Sequence, residues 1–383
     1  MPELTLEALA SLSAIPADEW DALRRDAYPF LRHDFLAGLE RTDCTTAATG
    51  WQPSHLALKR GEEIIAAAPA YLKSHSYGEY VFDWAWADAW RRLNLDYYPK
   101  LVTAIPFTPA TGPRLLHSPA VTAEDSWPML LEGVRALAQR RGISSWHILF
   151  PEPALAEQLA ALGMHTRHAV QFHWFNRNYQ DFDDFLATFS SRKRKALRRE
   201  RRRVVEQGIT LRTLTGDEIS PADWQTFHRF YQLTYAKRSG HGGYLTREFF
   251  TRTAAAMGAQ VVMVLAEQGG RDVAGALYFC SDTTLFGRYW GCEEELDCLH
   301  FEACYYRGIE YCIERGLQRF DPGAQGEHKI QRGFEPTRTL SCHWIAHPEL
   351  SRAVGEFTRE EQTHVEAYRR EAATLLPFRS EDA

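Results

Sequence analysis

Two stretches about 170 residues apart carry the same pattern, and this repeat limits the possible folds more than any other feature of the chain. Gly163–Trp174 reads GMHTRHAVQFHW and Gly333–Trp344 reads GFEPTRTLSCHW. Both open on Gly-hydrophobe, carry Thr-Arg inside and close on His-Trp, with ten residues from Gly to His. Upstream, LFPEP at Leu149–Pro153 faces RFDPG at Arg319–Gly323. Before these, helical stretches Trp127–Gly142 and Leu299–Gly316 each end in glycine. Earlier still come two hairpin-like pairs, HLALKR-GE-EIIAAAPAYLKS and VVMVLAEQGGRDVAGALYFCSD, the second with Gly269-Gly270 as its turn. Each half therefore reads hairpin, helix, strand, short helix and a final strand into His-Trp. A duplicated α/β domain of roughly 170–190 residues accounts for this. The polar segment NRNYQDFDD (176–184) is the expected joint, dividing domains 1–178 and 179–383.

Composition narrows the class. Of 383 residues, 45% are apolar and 25% charged, as in globular proteins that build a core without disulfides. No apolar run approaches the ~18 residues of a membrane span. The longest, Ile64–Leu72 and Val261–Ala266, are strand-sized. The first residues are acidic, without the basic start of a secretory signal, so the chain reads as cytoplasmic. The seven cysteines include no C-x-x-C, and Cys292, Cys298, Cys304 and Cys312 fit no zinc spacing. They are expected as small buried hydrophobes, with no metal site. The net charge of −6 argues against a nucleic-acid binder as a whole, though not against a local basic face.

One such face is explicit. Nine of the twelve residues Arg192–Arg203 are Lys or Arg, inside a predicted basic helix 190–207. Like charges so crowded repel unless an anion relieves them, so Arg192, Arg194 and Arg198 are candidate phosphate ligands, against a plain solvated face. Asp181, with Asp184 three residues on, is the expected N-cap pair at a helix start, and the apolar stripe Phe182, Phe185, Leu186 and Phe189 continues through Ala196, Leu197 and Val204. A further helix starts at Ser220 with Pro221 and Asp223 behind it. It ends in Lys237-Arg238-Ser-Gly-His-Gly-Gly, where Arg238 is a candidate ligand contact. In Leu299–Gly316, Phe301, Cys304, Tyr305, Gly308, Ile309, Cys312 and Ile313 form the expected packing face. Glu302, Tyr306 and Glu310 share another face, expected at the surface.

The order of the second half, GRYWGC (Gly287–Cys292), a helix ending in Gly316, then FDPGAQGEHKIQRGF (Phe320–Phe334), resembles the Fem-type aminoacyltransferases. With DYYPKLVTAIPFTPATGPRLL (Asp96–Leu116) and FSSRKRKALRRERR (Phe189–Arg202), it resembles more closely the Fem-like "peptidoglycan biosynthesis/recognition" proteins. The resemblance covers nearly the whole chain. It implies two tandem domains of the GNAT acetyltransferase type, each a mixed, mostly antiparallel sheet flanked by helices. It also implies an acyl-transfer site in the second copy. Lys329 matches the Fem lysine ahead of Gly-Phe, thought to serve the charged tRNA end or the developing oxyanion. His328 stands before it in place of an aromatic residue, which leaves the donor open between aminoacyl-tRNA and acyl-CoA.

Acyl transfer to an amine needs proximity and donors for a developing oxyanion, not a nucleophilic Ser or Cys. Arg332, three residues beyond Lys329, makes a cationic pair with it, against a simple surface pair. Asp321 ends a strand and is placed to orient or deprotonate an ammonium, or to anchor its turn. Lys329, Asp321 and Arg332 are thus the catalytic candidates. Arg288, Trp290 and His300 fall near the same sheet edge as substrate contacts. In the first half, Lys100 and Arg114 lie in a proline-rich loop suited to an anionic acceptor. The expected function is N-acyl transfer to an amine, on an anionic small molecule or a lipid-linked precursor, with tRNA as a candidate partner and no tightly bound cofactor. The alternatives are an acetyl-CoA-dependent N-acetyltransferase and a non-enzymatic RNA or cell-wall-precursor binder. CEEELDCL (Cys292–Leu299), with three successive acids before a helix, counts against a pyrophosphate there.

Overall fold

The computed structural model describes residues 4–379, apart from residue 325 and the side chain of residue 123. The chain forms two compact units. One draws on the chain up to Ala169 together with Arg338–Ala367, the other on Val170–Thr337 together with the chain from Tyr368 onward.

In the first unit the strands are β1 (Leu4–Leu9), β2 (Trp51–Pro53), β3 (His55–Arg60), β4 (Glu63–Ala68), β5 (Tyr71–Lys73), β6 (Lys100–Thr103), β7 (Leu116–His117) and β8 (Ser145–Leu149). The hairpin read from HLALKR-GE-EII is β3–β4, in a four-stranded sheet of order β1-β3-β4-β7. β2, β5, β6 and β8 make the other sheet, with β5–β6 antiparallel and β6–β8 parallel. The crossover between β6 and β8 includes the helix Ala123–Arg141, capped by the Thr122 hydroxyl and stopped at Gly142, whose φ of 64° suits glycine.

The second unit repeats the pattern. Its strands are the Val170–Phe175 part of β9 (His165–Phe175), then β10 (Ile209–Thr215), β11 (Val261–Gln268), β12 (Arg271–Cys280), β13 (Thr284–Cys292) and β14 (Arg319–Asp321). β10 to β13 are antiparallel neighbours, and Gly269-Gly270, both at positive φ, turn β11 into β12 as expected. β13 and β14 are parallel and joined across the helical stretch 299–315. The duplicated antiparallel–antiparallel–parallel order is the repeat seen in the sequence.

The last strand of each unit comes from the other repeat. Ser341–Ile345 of β15 (Glu335–Ile345) pairs antiparallel with β8, whereas Trp174-Phe175 of β9 pairs with β14. Residues 338–367 therefore count with the first unit. The register also shifts the alignment of the copies. Trp146 faces Trp344 as Phe320 faces Trp174, so His147 occupies the place of Asp321. Matching LFPEP to RFDPG misses this by four residues.

β13 pairs with β14 only over Thr284–Phe286. The ladder stops at Asp321 while β13 runs on to Cys292. That open stretch is covered by the helix Pro221–Ser239, which starts at the expected N-cap Ser220, closed into a capping box by Asp223. The approach is close enough that a Cβ on Gly291 would lie 2.2 Å from the Phe230 backbone. Gly291→Ala should therefore destabilise the second unit by about 1–3 kcal/mol through overpacking. Urea denaturation checks this, with no loss of stability as the contrary result.

Candidate functional site

Asp321 ends β14 in the second unit, and the chain then turns through Pro322-Gly323. Asp321 is buried. Its Oδ1 accepts the Gly323 N–H at 2.9 Å and meets Arg288 Nη2 at 2.9 Å, with His173 Nε2 at 3.8 Å. Burial pushes this carboxyl up, but Arg288, His173 and the Gly323 N–H outweigh it and hold it below the usual range. The arrangement fixes the turn, and the turn aims the Gly323 carbonyl at Lys329.

Lys329 lies in the single turn Glu327–Arg332 and is 2% exposed. Its Nζ donates to the Gly323 carbonyl at 2.7 Å. An ammonium has three N–H groups, and this contact uses one. Burial pushes the lysine down to about 8, with Asp321 opposing that shift. Arg332 holds the turn in place. Its Nη2 lies 2.9 Å from both Glu200 carboxylate oxygens, Nη1 donates to the His328 carbonyl at 2.7 Å, and Nε donates to the Tyr306 hydroxyl at 3.1 Å. The guanidinium also stacks 3.4 Å from the centre of the Phe301 ring. Four of the five guanidinium N–H groups of Arg332 are thus used within the protein, and they brace the turn that carries Lys329.

The same unit opens a cleft of about 720 Å³, whose lining does not include Lys329, Asp321 or Arg288. Trp290, His300, Phe301 and Arg238 line it, together with the acids of Glu293–Glu295 and Asp297. The His300 ring packs edge-on to Trp290 and Tyr305, and lies 6.1 Å from that of His328. Tyr305 and His328 are joined by a 2.8 Å hydrogen bond, and Lys329 Nζ is 6.0 Å from the Tyr305 ring centre. Burial lowers His300 to about 3 and His328 to about 4, so both imidazoles are neutral near pH 7. Around the cleft several acids are already matched: Glu295 by Lys237 at 2.5 Å and Glu293 by Arg229 at 2.7 Å.

The structure thus sorts the sequence candidates. Lys329, Asp321 and Arg288 form one buried group, and Trp290, His300 and Arg238 share the cleft. Arg288 is paired with Asp321 rather than presented to a substrate. Lys100 and Arg114, expected at an anionic acceptor, are buried in the first unit. Lys100 Nζ meets Glu79 and Ser76, each at 2.8 Å, and Asp83. Arg114 gives its N–H groups to the carbonyls of Leu149, Gly112, Pro113 and Ala110, stapling its own loop. Glu302 and Tyr306, expected at the surface, are buried. The helix widens to a π-type turn over Glu302–Tyr306, which rotates its faces out of the 3.6-residue register. Arg201 grips Glu302 through two hydrogen bonds, of 2.8 and 3.0 Å, and Glu200 receives the Tyr306 hydroxyl. In the basic helix Ser191–Glu206, Arg198 pairs with Asp183 at 2.8 Å, and Arg192 is exposed.

The sequence reading missed His173, the Gly323 carbonyl, the Tyr305–His328 pair and Glu200. The repeated His-Trp was the available signal for His173: its counterpart His343 sits on His147 in the first unit, with 2.6 Å between their Nδ1 atoms. Among the described residues no group of three or more His, Cys, Asp or Glu side chains is arranged to hold a metal.

Two tandem units of GNAT-like fold, with the buried lysine in the second, make up the chain. The chain belongs to the FemAB-like family of peptidoglycan biosynthesis/recognition, whose profile matches residues 11–380. Among solved structures, FemX is similar at 12% identity, with 89% of this chain and 98% of FemX covered and a TM-score of 0.52. The C-terminal domain of a putative lysylphosphatidylglycerol synthetase from Agrobacterium fabrum is similar at 9% identity, with 90% and 95% covered and a TM-score of 0.52. L-PGS from Bacillus licheniformis is similar at 12% identity, with 84% and 95% covered and a TM-score of 0.50. A search of curated proteins finds no match. No helix among the described residues is long and apolar enough to cross a membrane.

The shifted lysine carries a stability signature. Its folded value of about 8 lies below that of the unfolded chain, so the unfolded chain holds the proton more tightly. Its contribution therefore favours folding increasingly as pH rises from about 8 toward the unfolded lysine value of about 10.4. Lys329→Met should remove that rise. Denaturation of both proteins across this range checks it, and parallel pH curves are the contrary result.

Proposed function

We propose that this chain is an N-acyltransferase of the Fem-like type, moving an acyl or aminoacyl group from an activated ester or thioester to an amine. The amine of a peptidoglycan precursor is the acceptor that family membership supports. In the step, the neutral amine attacks the carbonyl carbon and a C–N bond forms. The bond to the donor oxygen or sulfur breaks, and the amine's extra proton passes to the leaving group or to water.

The observation that carries this reading is Lys329. A buried ammonium, tethered by one N–H to the Gly323 carbonyl, keeps donors for negative charge developing on a carbonyl oxygen, and low-dielectric surroundings strengthen that effect. Asp321, Arg288 and Arg332 are positioning residues that hold Lys329 and its partner turn. Trp290, His300 and Arg238 supply the walls against which the substrate lies. The acids of the cleft are largely matched by Arg229, Lys237 and Arg203, and Arg238 lines it too, so its charge is near balance and the donor, aminoacyl ester or acyl-CoA, is decided by assay. A lipid-linked acceptor and tRNA as the donor's carrier belong to the same proposal, as does action in the cytoplasm.

Transfer to a panel of amines, with aminoacyl-tRNA and with acyl-CoA as donors, is the test. Lys329→Ala should lower turnover by about 10²–10³-fold. Wild-type activity should fall as pH rises through about 8, where Lys329 loses its proton, and the variant should lack that limb. Equal transfer by both proteins would remove Lys329 from the mechanism. Tight coenzyme A binding in calorimetry would support the acetyl-CoA reading.

A further inference from the structure

The basic helix Ser191–Glu206 has two different sides. One faces inward: Leu197 and Val204 are buried, Glu200 binds Arg332, and Arg201 binds Glu302 and Glu310. The other carries Arg192, Lys195, Arg199 and Arg202, all exposed, at steps of three, four and three residues. That spacing puts them on one face over about 15 Å. Arg192, Lys195 and Arg199 have no acidic partner among the described residues, and Arg202 has only Glu206, one turn on at 3.6 Å. Of the residues grouped with Arg192 in the sequence, Arg198 also neighbours Lys195 and Arg202 but is paired with Asp183, and Arg194 is half-buried.

Four cations held in line by an anchored helix keep their mutual repulsion in the free protein. A surface of opposite charge relieves it. The helix has no Phe, Tyr, Trp or His between 191 and 206, so bases would find no ring to stack on. Beside the row, three residues past Arg202, Val205 is 70% exposed, an apolar side chain that a phosphate backbone does not accommodate. We infer that this row is a docking face for an anionic phospholipid bilayer. The headgroups meet the four cations and Val205 meets the acyl boundary. The inward side meanwhile keeps Arg332 and the Lys329 turn fixed. The inference stands on this helix alone and does not require the acyl-transfer reading.

The test is co-sedimentation of the full chain with vesicles of phosphatidylcholine, with and without phosphatidylserine. Binding is expected only with phosphatidylserine, and it should weaken as salt is raised. Each cation near an anionic surface strengthens binding by about fivefold, so Arg192→Gln with Arg199→Gln should weaken it by about 25-fold. The thermal midpoint should stay unchanged, since both side chains are exposed and unpaired. Arg140→Gln with Arg141→Gln, on another exposed helix end, should bind as wild type. Undiminished binding by the first variant, an equal loss in the second, or binding to duplex or transfer RNA with none to vesicles would overturn the proposal.

Discussion

A lysine ammonium lodged against a backbone carbonyl, inside a unit that has nearly closed over it, sets the terms for the candidate site. Desolvating Lys329 disfavours its charge. The Gly323 carbonyl and the nearby Asp321 carboxylate offset part of that cost. Asp321 can do this only because Arg288 and the Gly323 N–H stabilise its own buried charge. Arg332 depends on Glu200 in the same way. The result is a chain of mutual dependence from the basic helix through Arg332 to the Lys329 turn. Removing any one partner would leave a buried charge exposed to its full desolvation penalty.

The doubled architecture explains why this happens once. Both units lay a parallel pair of strands beside a final His-Trp strand. In the second, the residue next to His173 is Asp321, and the following turn brings Lys329 to it. In the first, the same register places His147 against His343, and Lys100 is drawn into Glu79 and Asp83 instead. Each polar cluster finds its ion-pair partners within its own unit, while Asp83 Oδ1 in the first and Asp321 Oδ2 and His173 Nδ1 in the second make no hydrogen bond among the described residues. Among the described residues, the second unit has a buried cation facing the end of β14, beyond which β13 continues with that edge unpaired. That open stretch, with the helix over Gly291, borders the cleft.

Much of the fold was legible because it is written in periodicity and turn chemistry. The hairpin at Gly269-Gly270, the helix stops at Gly142 and Gly316, and the caps at Asp181 and Ser220 all follow from local rules. The origin of each unit's final strand was not legible, because the two His-Trp strands are alike enough to suit either place. The burial of Glu302 and Tyr306 was hidden by a widened turn that a constant 3.6-residue period does not anticipate. Within the site, Lys329 and Asp321 stood out by family pattern and strand-end position. Their relation, in which Asp321 anchors the turn that holds Lys329, depends on the Arg288 contact from another strand. Lys100 and Arg114 misled for a related reason: a cation in a proline-rich loop looks available until its carbonyl and carboxylate partners are known.

The state of Lys329 itself is open to direct observation. With lysine labelled at Cε, an NMR titration of the folded chain follows the Lys329 resonance, identified by its loss in a Lys329→Met sample. A midpoint near 8 is expected from its burial. A midpoint at the ordinary lysine value of about 10.4 would mean a solvated ammonium and contradict the buried charge on which the site is built.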